Sequence, residues 1–236
     1  MNRRFRESQY GIIGETVNRV GGVDLGLMSA FRWLSDPRTL LFTLSRYKFA
    51  AKVLSGRKHV LEIGCGDGFA SRLVRQTVER LTISDFDPEF INDFRRREND
   101  VDPRWRTDAV VHDLLTGPIS GDFDGAYCLD VLEHISAADE DCFLANLRLS
   151  VTDDAVIVIG MPSLESQIYA SSESREGHVN CKTGADLRKT LERHFGQVII
   201  FSMNDEVVHT GFEPMAHYLL AVCSSSREAK GGPDKS

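Results

Sequence analysis

The chain has 236 residues, 42% hydrophobic and 27% charged, which excludes a wholly disordered, a collagen-like and a polytopic membrane protein. Its 28 Lys and Arg against 35 Asp and Glu give a net charge of −7, and a field of that sign repels phosphate backbones. Nucleic acid is therefore not expected as a partner. At roughly 150 residues per domain, the length fits one full domain with additions. The five cysteines (Cys65, Cys128, Cys142, Cys181, Cys223) are widely and irregularly spaced, with no CxxC pair. Neither a disulfide framework nor a zinc knuckle is indicated. There is no signal-peptide pattern and no apolar run of about 18 residues, so the reading is a cytoplasmic protein without a membrane partner.

Residues 1–22 are weakly patterned. Asp36-Pro37 predicts a helix start, and apolar residues from Leu40 to Leu54 recur at helical spacing. His59–Ile63 is a strand that runs into glycines, and 69–79 returns to helical spacing. Leu81–Ile83 is a strand, Pro88 opens a helix through Phe94, and Ala109–Val111 is a third strand. Phe123–Leu129 is a fourth strand, 138–149 a helix, and Ala155–Ile159 a fifth strand. Leu187–Phe195 is helical, and Val198–Phe201 and Tyr218–Cys223 are the last strands. Short strands alternating with helices predict an α/β, Rossmann-like, seven-stranded, mainly parallel sheet with helices on both faces. The last two strands, joined through 202–215 without a helix, are expected as an antiparallel pair at one edge. The expected division is an N-terminal extension and helical cap over 1–54, a core domain over 55–223 and a disordered tail over 224–236.

The strongest motif is Val60-Leu61-Glu62-Ile63-Gly64-Cys65-Gly66-Asp67-Gly68, a strand, a G-x-G-x-G loop and a helix. Glycines there permit positive φ and close approach of a ligand to the main chain. At the first strand-to-helix turn of a parallel sheet this is a nucleotide-binding crevice. Asp85 ends the second strand about 20 residues later, the position from which a carboxylate reaches ribose hydroxyls. Glu62 and Asp67 would repel a pyrophosphate, by about 4 kcal/mol per charge pair at 4 Å with moderate screening. They suit a cationic ligand without phosphate. S-adenosylmethionine, with its sulfonium and ammonium groups, is such a ligand.

With Asp85, Asp113 and the segment Phe123-Asp124-Gly125-Ala126-Tyr127-Cys128-Leu129-Asp130-Val131-Leu132-Glu133-His134, the sequence resembles the class I S-adenosylmethionine-dependent methyltransferases over about residues 55–223. The Leu132-Glu133-His134 triplet is similar to a small-molecule branch that includes ubiquinone-pathway O-methyltransferases. The resemblance implies that Glu62, Gly64, Cys65, Gly66, Asp67 and Gly68 surround the methionine part of the cofactor. It implies Asp85 on the ribose, Phe86 against the adenine, and Asp113 and Leu114 on the adenine edge. Cys128 and Leu129 would line the sulfonium, and Arg46 or Tyr47 would reach the carboxylate. The alternative for Asp113 is a simple turn residue, and Cys65 and Cys128 read as packing residues and not as a redox pair.

Methyl transfer is an in-line displacement, so alignment of acceptor and donor does most of the work. A hydroxyl or amine acceptor also loses a proton, and histidine is the natural base near neutral pH. His178, in the long segment after the fifth strand, is the first candidate, and His134 after the fourth strand the second. His209 and His217 flank a polar insertion that would shape the acceptor pocket. His59, His112 and His194 read as structural. No metal-ligand pair stands out at i, i+3 or i, i+4, so no metal is expected. The basic run Arg95-Arg96-Arg97, with Arg104 and Arg106, reads as a solvated helix end. The expected partner is a small-molecule acceptor, and the chain a monomer or homodimer. The readings set against this are a nicotinamide-dependent oxidoreductase, a non-catalytic cofactor-binding regulator, and a nucleic-acid or protein methyltransferase.

Overall fold

In the computed structural model, which describes residues 5–98 and 106–224, alternating apolar residues build a sheet with a hydrophobic layer on each face. The strands are β1 (His59–Ile63), β2 (Arg80–Asp85), β3 (Asp108–Val111), β4 (Phe123–Leu129), β5 (Val151–Pro162), β6 (Val198–Asn204), β7 (Val207–His209) and β8 (Tyr218–Ser224). They form one eight-stranded sheet in the order β3-β2-β1-β4-β5-β8-β6-β7. The neighbouring pairs from β3 to β5 are parallel, and β8 runs antiparallel to both β5 and β6. The chain order reverses between β1 and β4, so a crevice opens at the carboxyl ends of these two strands.

The helices are α1 (Gly11–Val20), α2 (Leu27–Ser35), α3 (Pro37–Val53), α4 (Arg72–Arg75), α5 (Pro88–Glu98), α6 (Glu140–Ser150), α7 (Ser172–Gly177) and α8 (Gly184–Leu191). One face of the sheet packs Leu61, Ile63, Ala126, Cys128, Ile157 and Ile159 against Phe143, Leu144 and Leu147 of α6 and Leu187 and Leu191 of α8. The other packs Val60, Tyr127, Leu129 and Val158 against Tyr47, Ala50 and Leu54 at α3, Val74 of α4, and Ile91 and Phe94 of α5. The α3 start is as expected: the Asp36 side chain accepts from Arg38 N, and Pro37 stands in the first turn.

The structure departs from the sequence reading in four places. The sheet has eight strands rather than seven, because β7 folds back on β6 within the 202–215 connection. For the same reason β6 and β8 are not the edge: β8 is inserted between β5 and β6, and β7 is outermost. The helix expected over 69–79 is helical only at Arg72–Arg75, and Thr77 Oγ1 donates to Ala51 O and Val74 O where a further turn would run. The weakly patterned start, 1–22, contains α1, and α2 follows where no element was expected; the apolar side chains of both stay largely in solvent. The basic run is also more engaged than expected. Arg96 and Arg97 pair with Asp93, Arg97 donates to Asp67 O, and Arg95 donates to Ala109 O at 2.7 Å. Arg104 and the expected tail beyond Ser224 lie outside the described residues. Among the described residues no helix is long and apolar enough to cross a membrane.

Candidate active site

The loop after β1 is fixed by its backbone. Gly64, Gly66 and Gly68 have φ of 73°, 53° and 66°, a region that side chains rarely enter. Gly64 N and Cys65 N both donate to Ser84 O at 2.8 and 3.0 Å, which turns the chain sharply off the strand. Asp85 accepts from Gly66 N at 2.9 Å and from Asp87 N at 3.0 Å, locking the end of β2 to the glycine loop. Burial holds its carboxyl above the usual carboxylate range despite these two donors.

Glu62 does not face the crevice. It is 1% exposed, and its two oxygens accept from the Tyr47 and Tyr127 hydroxyls at 2.7 and 2.6 Å. Burial raises its carboxyl to about 7. The expected contact with a ligand is therefore corrected: Glu62 braces β1 against α3 and β4. Gly68 is corrected in the same way, since a side chain there would meet Phe94 and Ile83, so this glycine admits α5 to the sheet.

Gly64, Cys65, Gly66 and Asp67 do line a cavity of about 50 Å³, together with Met28, Ser29 and Arg32 of α2, Thr43 and Tyr47 of α3, and Leu129 and Asp130. Leu129 is among these lining residues. Cys128 is not: alternation along β4 sends it into the opposite hydrophobic layer, where burial pushes its thiol far up. Asp67 is bound by α2, accepting from Ser29 N at 2.6 Å and Ser29 Oγ at 3.2 Å. Met28 Sδ lies 2.7 Å from where a Gly66 Cβ would stand. Helix α2 is therefore a cover over the loop, which the sequence did not announce.

Arg46 is committed elsewhere in this form. Its Nη1 donates to both Asp130 oxygens at 2.8 and 2.7 Å, and the guanidinium lies 3.9 Å over the Tyr218 ring. Burial alone would raise Asp130; Arg46 holds its carboxyl below the usual range. Asp130 has φ of 58°, so the turn after β4 is itself strained. Arg32 is the guanidinium that lines the cavity.

At the end of β2, Phe86 is 72% exposed beside Asp85. Asp113 is a turn residue here, accepting from Leu115 N at 2.9 Å at the start of a short 3₁₀ turn. Leu114 is buried, and its carbonyl accepts from Asn146 Nδ2 at 2.8 Å.

His134 and His178 do come together, with ring centroids 5.3 Å apart. Burial, then the neighbouring His134, lowers the basicity of His178, so its ring is neutral near pH 7. Beneath them lies Glu133, 0% exposed, whose carboxylate oxygens have no hydrogen-bond partner outside its own residue among the described residues. Burial and the charge of Asp130 push its carboxyl well above the usual range. Neither Glu133 nor Asp130 was singled out from sequence; the signal was two carboxylates within four residues of the end of β4.

His217 is half exposed, with its ring centroid 6.4 Å from that of Tyr169. His209 is bound into the β6–β7 hairpin by both ring nitrogens, to Asn204 Oδ1 at 2.8 Å and Gly211 N at 3.0 Å, which corrects its assignment to an acceptor pocket. His59, His112 and His194 hold Thr82, Gly117 O and Asp141 as structural residues.

A methyltransferase-domain family matches residues 60–153. A ubiquinone biosynthesis O-methyltransferase of Xanthomonas campestris pv. campestris is 31% identical over 88 residues, which span 36% of this chain and 36% of that protein. The N-methyltransferase NodS of Bradyrhizobium japonicum WM9, solved with S-adenosyl-L-homocysteine, aligns with a TM-score of 0.59 at 17% identity, over 89% of this chain and 96% of its own. A possible histamine N-methyltransferase of Thermotoga maritima aligns with a TM-score of 0.64 at 13% identity, over 84% of this chain and 95% of its own. Residues 60–153 thus match a methyltransferase-domain family, and the chain has the α/β Rossmann-like fold of these solved methyltransferases.

Proposed function

We propose that this chain is an S-adenosylmethionine-dependent methyltransferase acting on the hydroxyl oxygen of a small-molecule acceptor. The observation that carries this reading is the charge pattern behind the three positive-φ glycines. Asp67 and Asp130 face one cavity together with Arg32. Carboxylates suit a sulfonium and an ammonium, and a guanidinium suits a carboxylate, so the walls fit a zwitterionic amino-acid end. Asp85 and the exposed Phe86 would take the ribose and adenine. A pyrophosphate would meet these carboxylates with repulsion, which argues against the nicotinamide reading.

The cofactor supplies an activated methyl group on sulfur. Arg32, Asp67 and the glycine-loop backbone would hold its amino-acid end. Leu129 and Asp130 end β4 beside that loop, and His134 and His178 follow. With the cofactor bound, these residues would hold an acceptor hydroxyl beside its activated methyl group. Transfer would form an O–CH3 bond as the cofactor's S–CH3 bond broke, with that electron pair staying on sulfur and the hydroxyl proton leaving on the side of His134 and His178. The weak O-methyltransferase similarity supports oxygen over nitrogen as the target. The unpaired thiols of all five cysteines support a reducing, cytoplasmic compartment.

The test is calorimetric binding of S-adenosylmethionine and NAD+, followed by transfer of a labelled methyl group into a metabolite extract. Micromolar binding of the first ligand and none of the second is expected, with loss of binding in Gly66→Val. His178→Ala should lower transfer at least about 100-fold while changing cofactor affinity less than about threefold. Tight NAD+ binding, or unchanged affinity in Gly66→Val, would refute the assignment.

A further inference from the structure

The expectation of no metal rested on the lack of a ligand pair at helical spacing. Folding assembles one from two elements that lie more than 40 residues apart in the chain. Glu133, His134 and His178 each bring one ligand atom within 4.8 Å of the others. Carboxylates this deeply buried are ordinarily paired or bound to a metal, and among the described residues neither Glu133 oxygen has a hydrogen-bond partner outside its own residue. His134 Nε2 stands 4.0 Å from Glu133 Oε1, beyond hydrogen-bond reach.

The two imidazoles are set up alike. His134 Nδ1 lies 2.8 Å from Gly177 O, and His178 Nδ1 lies 2.8 Å from Gln167 Oε1. The Gln167 amide is oriented by its own NH2 group, which donates to Ser163 O at 3.1 Å, so its oxygen is what faces His178. Carbonyl oxygens only accept, so each ring carries its proton on Nδ1 and leaves the Nε2 lone pair free. Carbonyl-bound Nδ1 with Nε2 presented is the arrangement that orients metal-ligating histidines.

The frame is held on both sides. Val179 N and Asn180 N donate to Glu133 O at 2.9 and 3.0 Å, so the His178 segment is pinned to the backbone of Glu133 itself. Asn180 Nδ2 and Lys182 Nζ reach Glu140 Oε2 at 2.8 and 2.7 Å, fixing the same segment to α6. Ligand atoms around an ion at about 2.1 Å lie roughly 3.0–3.4 Å apart, so small side-chain movements close the site.

We propose that Glu133, His134 and His178 bind one first-row divalent transition-metal ion, through one carboxylate oxygen and two Nε2 atoms. Two imidazoles and one carboxylate favour Zn2+ or Mn2+ over Mg2+, which prefers an all-oxygen shell. His134 is half exposed, so the site is open toward the acceptor side. Its use in catalysis rests on the methyl-transfer reading; its existence does not. An acceptor hydroxyl on the ion would break its O–H bond near neutral pH, as bound water does, with the proton leaving to solvent and the pair remaining on oxygen. That pair then forms the O–CH3 bond, and His178 acts as a ligand instead of a base.

The test uses the full chain, stripped with a chelator and without an affinity tag, titrated with Zn2+ alone by calorimetry. One equivalent should bind. Glu133→Gln and His178→Ala should each abolish stoichiometric binding, and Gln167→Ala, which removes only the carbonyl behind His178, should weaken it about tenfold. His194→Ala, which removes an imidazole held by Asp141 outside the cluster, should change nothing. Circular dichroism checks that each variant folds. Absence of stoichiometric Zn2+ binding in the wild type, or undiminished binding in folded Glu133→Gln and His178→Ala, would overturn the site. Binding without methyl transfer to any acceptor would uphold the site and sink the function; transfer unaffected by the chelator and by Zn2+ would overturn its catalytic use.

Discussion

Glu62 should make the folded state pH-sensitive in a direction unusual for a carboxylate. Its side chain is fully enclosed, held by Tyr47 and Tyr127, and burial lifts it from an ordinary 4.5 to about 7. Between these values the folded protein binds this proton and the unfolded chain does not. Stability therefore falls as pH rises through the window, and the loss is complete above about 7. A shift of two and a half units corresponds to about 3 kcal/mol. Glu62→Gln keeps the shape and an acceptor oxygen but does not titrate. Urea unfolding at pH 4.5, 5.5, 6.5 and 8 should show the variant gaining on the wild type by about 3 kcal/mol across the series. Parallel stability curves for the two proteins would mean that Glu62 is ionised throughout, and that the tyrosine pair offsets its burial.

Three further perturbations address the loop, the strained turn and the cover. Gly64→Ala should destabilise by about 2 kcal/mol or more, because φ is 73° and the Val131 side chain occupies the Cβ position. Gly56→Ala, with φ of 80° but open space, should cost about 1 kcal/mol, and equal costs in chemical denaturation would remove the Val131 argument. Asp130→Asn should cost about 2 kcal/mol by leaving Arg46 without its counter-charge, and Asp130→Asn with Arg46→Met should recover most of it in a double-mutant cycle. Binding pockets for molecules of cofactor size span roughly 300–1,000 Å³, far more than the cavity under α2. Saturation with S-adenosylhomocysteine should therefore shift α2 and change the emission of Trp33, which lies on it. Unchanged emission at saturation would place the ligand without movement of the cover.

Local signals carried the sheet. β4 runs from Phe123 to Leu129 as the alternation predicts, and the glycine loop sits between β1 and β2 because its motif requires positive φ on consecutive glycines. What the sequence could not convey was which side of a strand faces the crevice. Period two separates Cys128 from Leu129, but only the packing of α3 against one face and α6 against the other decides which of them lines the cavity. Helix α2 was missed because Phe31, Trp33 and Leu34 stay exposed, so its apolar spacing does not mark a buried stripe. Its attachment through Ser29 to Asp67 joins residues 38 positions apart in the chain.

The acidic residues of the site sort by what else they must do. A carboxylate near a turn first meets the backbone donors that the turn leaves unpaired. Asp85 meets Gly66 N and Asp87 N, Asp67 meets Ser29 N and Phe69 N, and Asp113 meets Leu115 N. Glu62 meets two phenols. The charge clustered along the sequence near the glycine loop is thus largely occupied in folding that loop. Asp130 and Glu133 differ: one faces a guanidinium and the other's oxygens have no hydrogen-bond partner outside its own residue among the described residues, and both follow β4, where the chain has already left the sheet. The electrostatic demand for a cation is therefore greatest at the carboxyl end of β4, and not at the loop whose motif first drew attention to it.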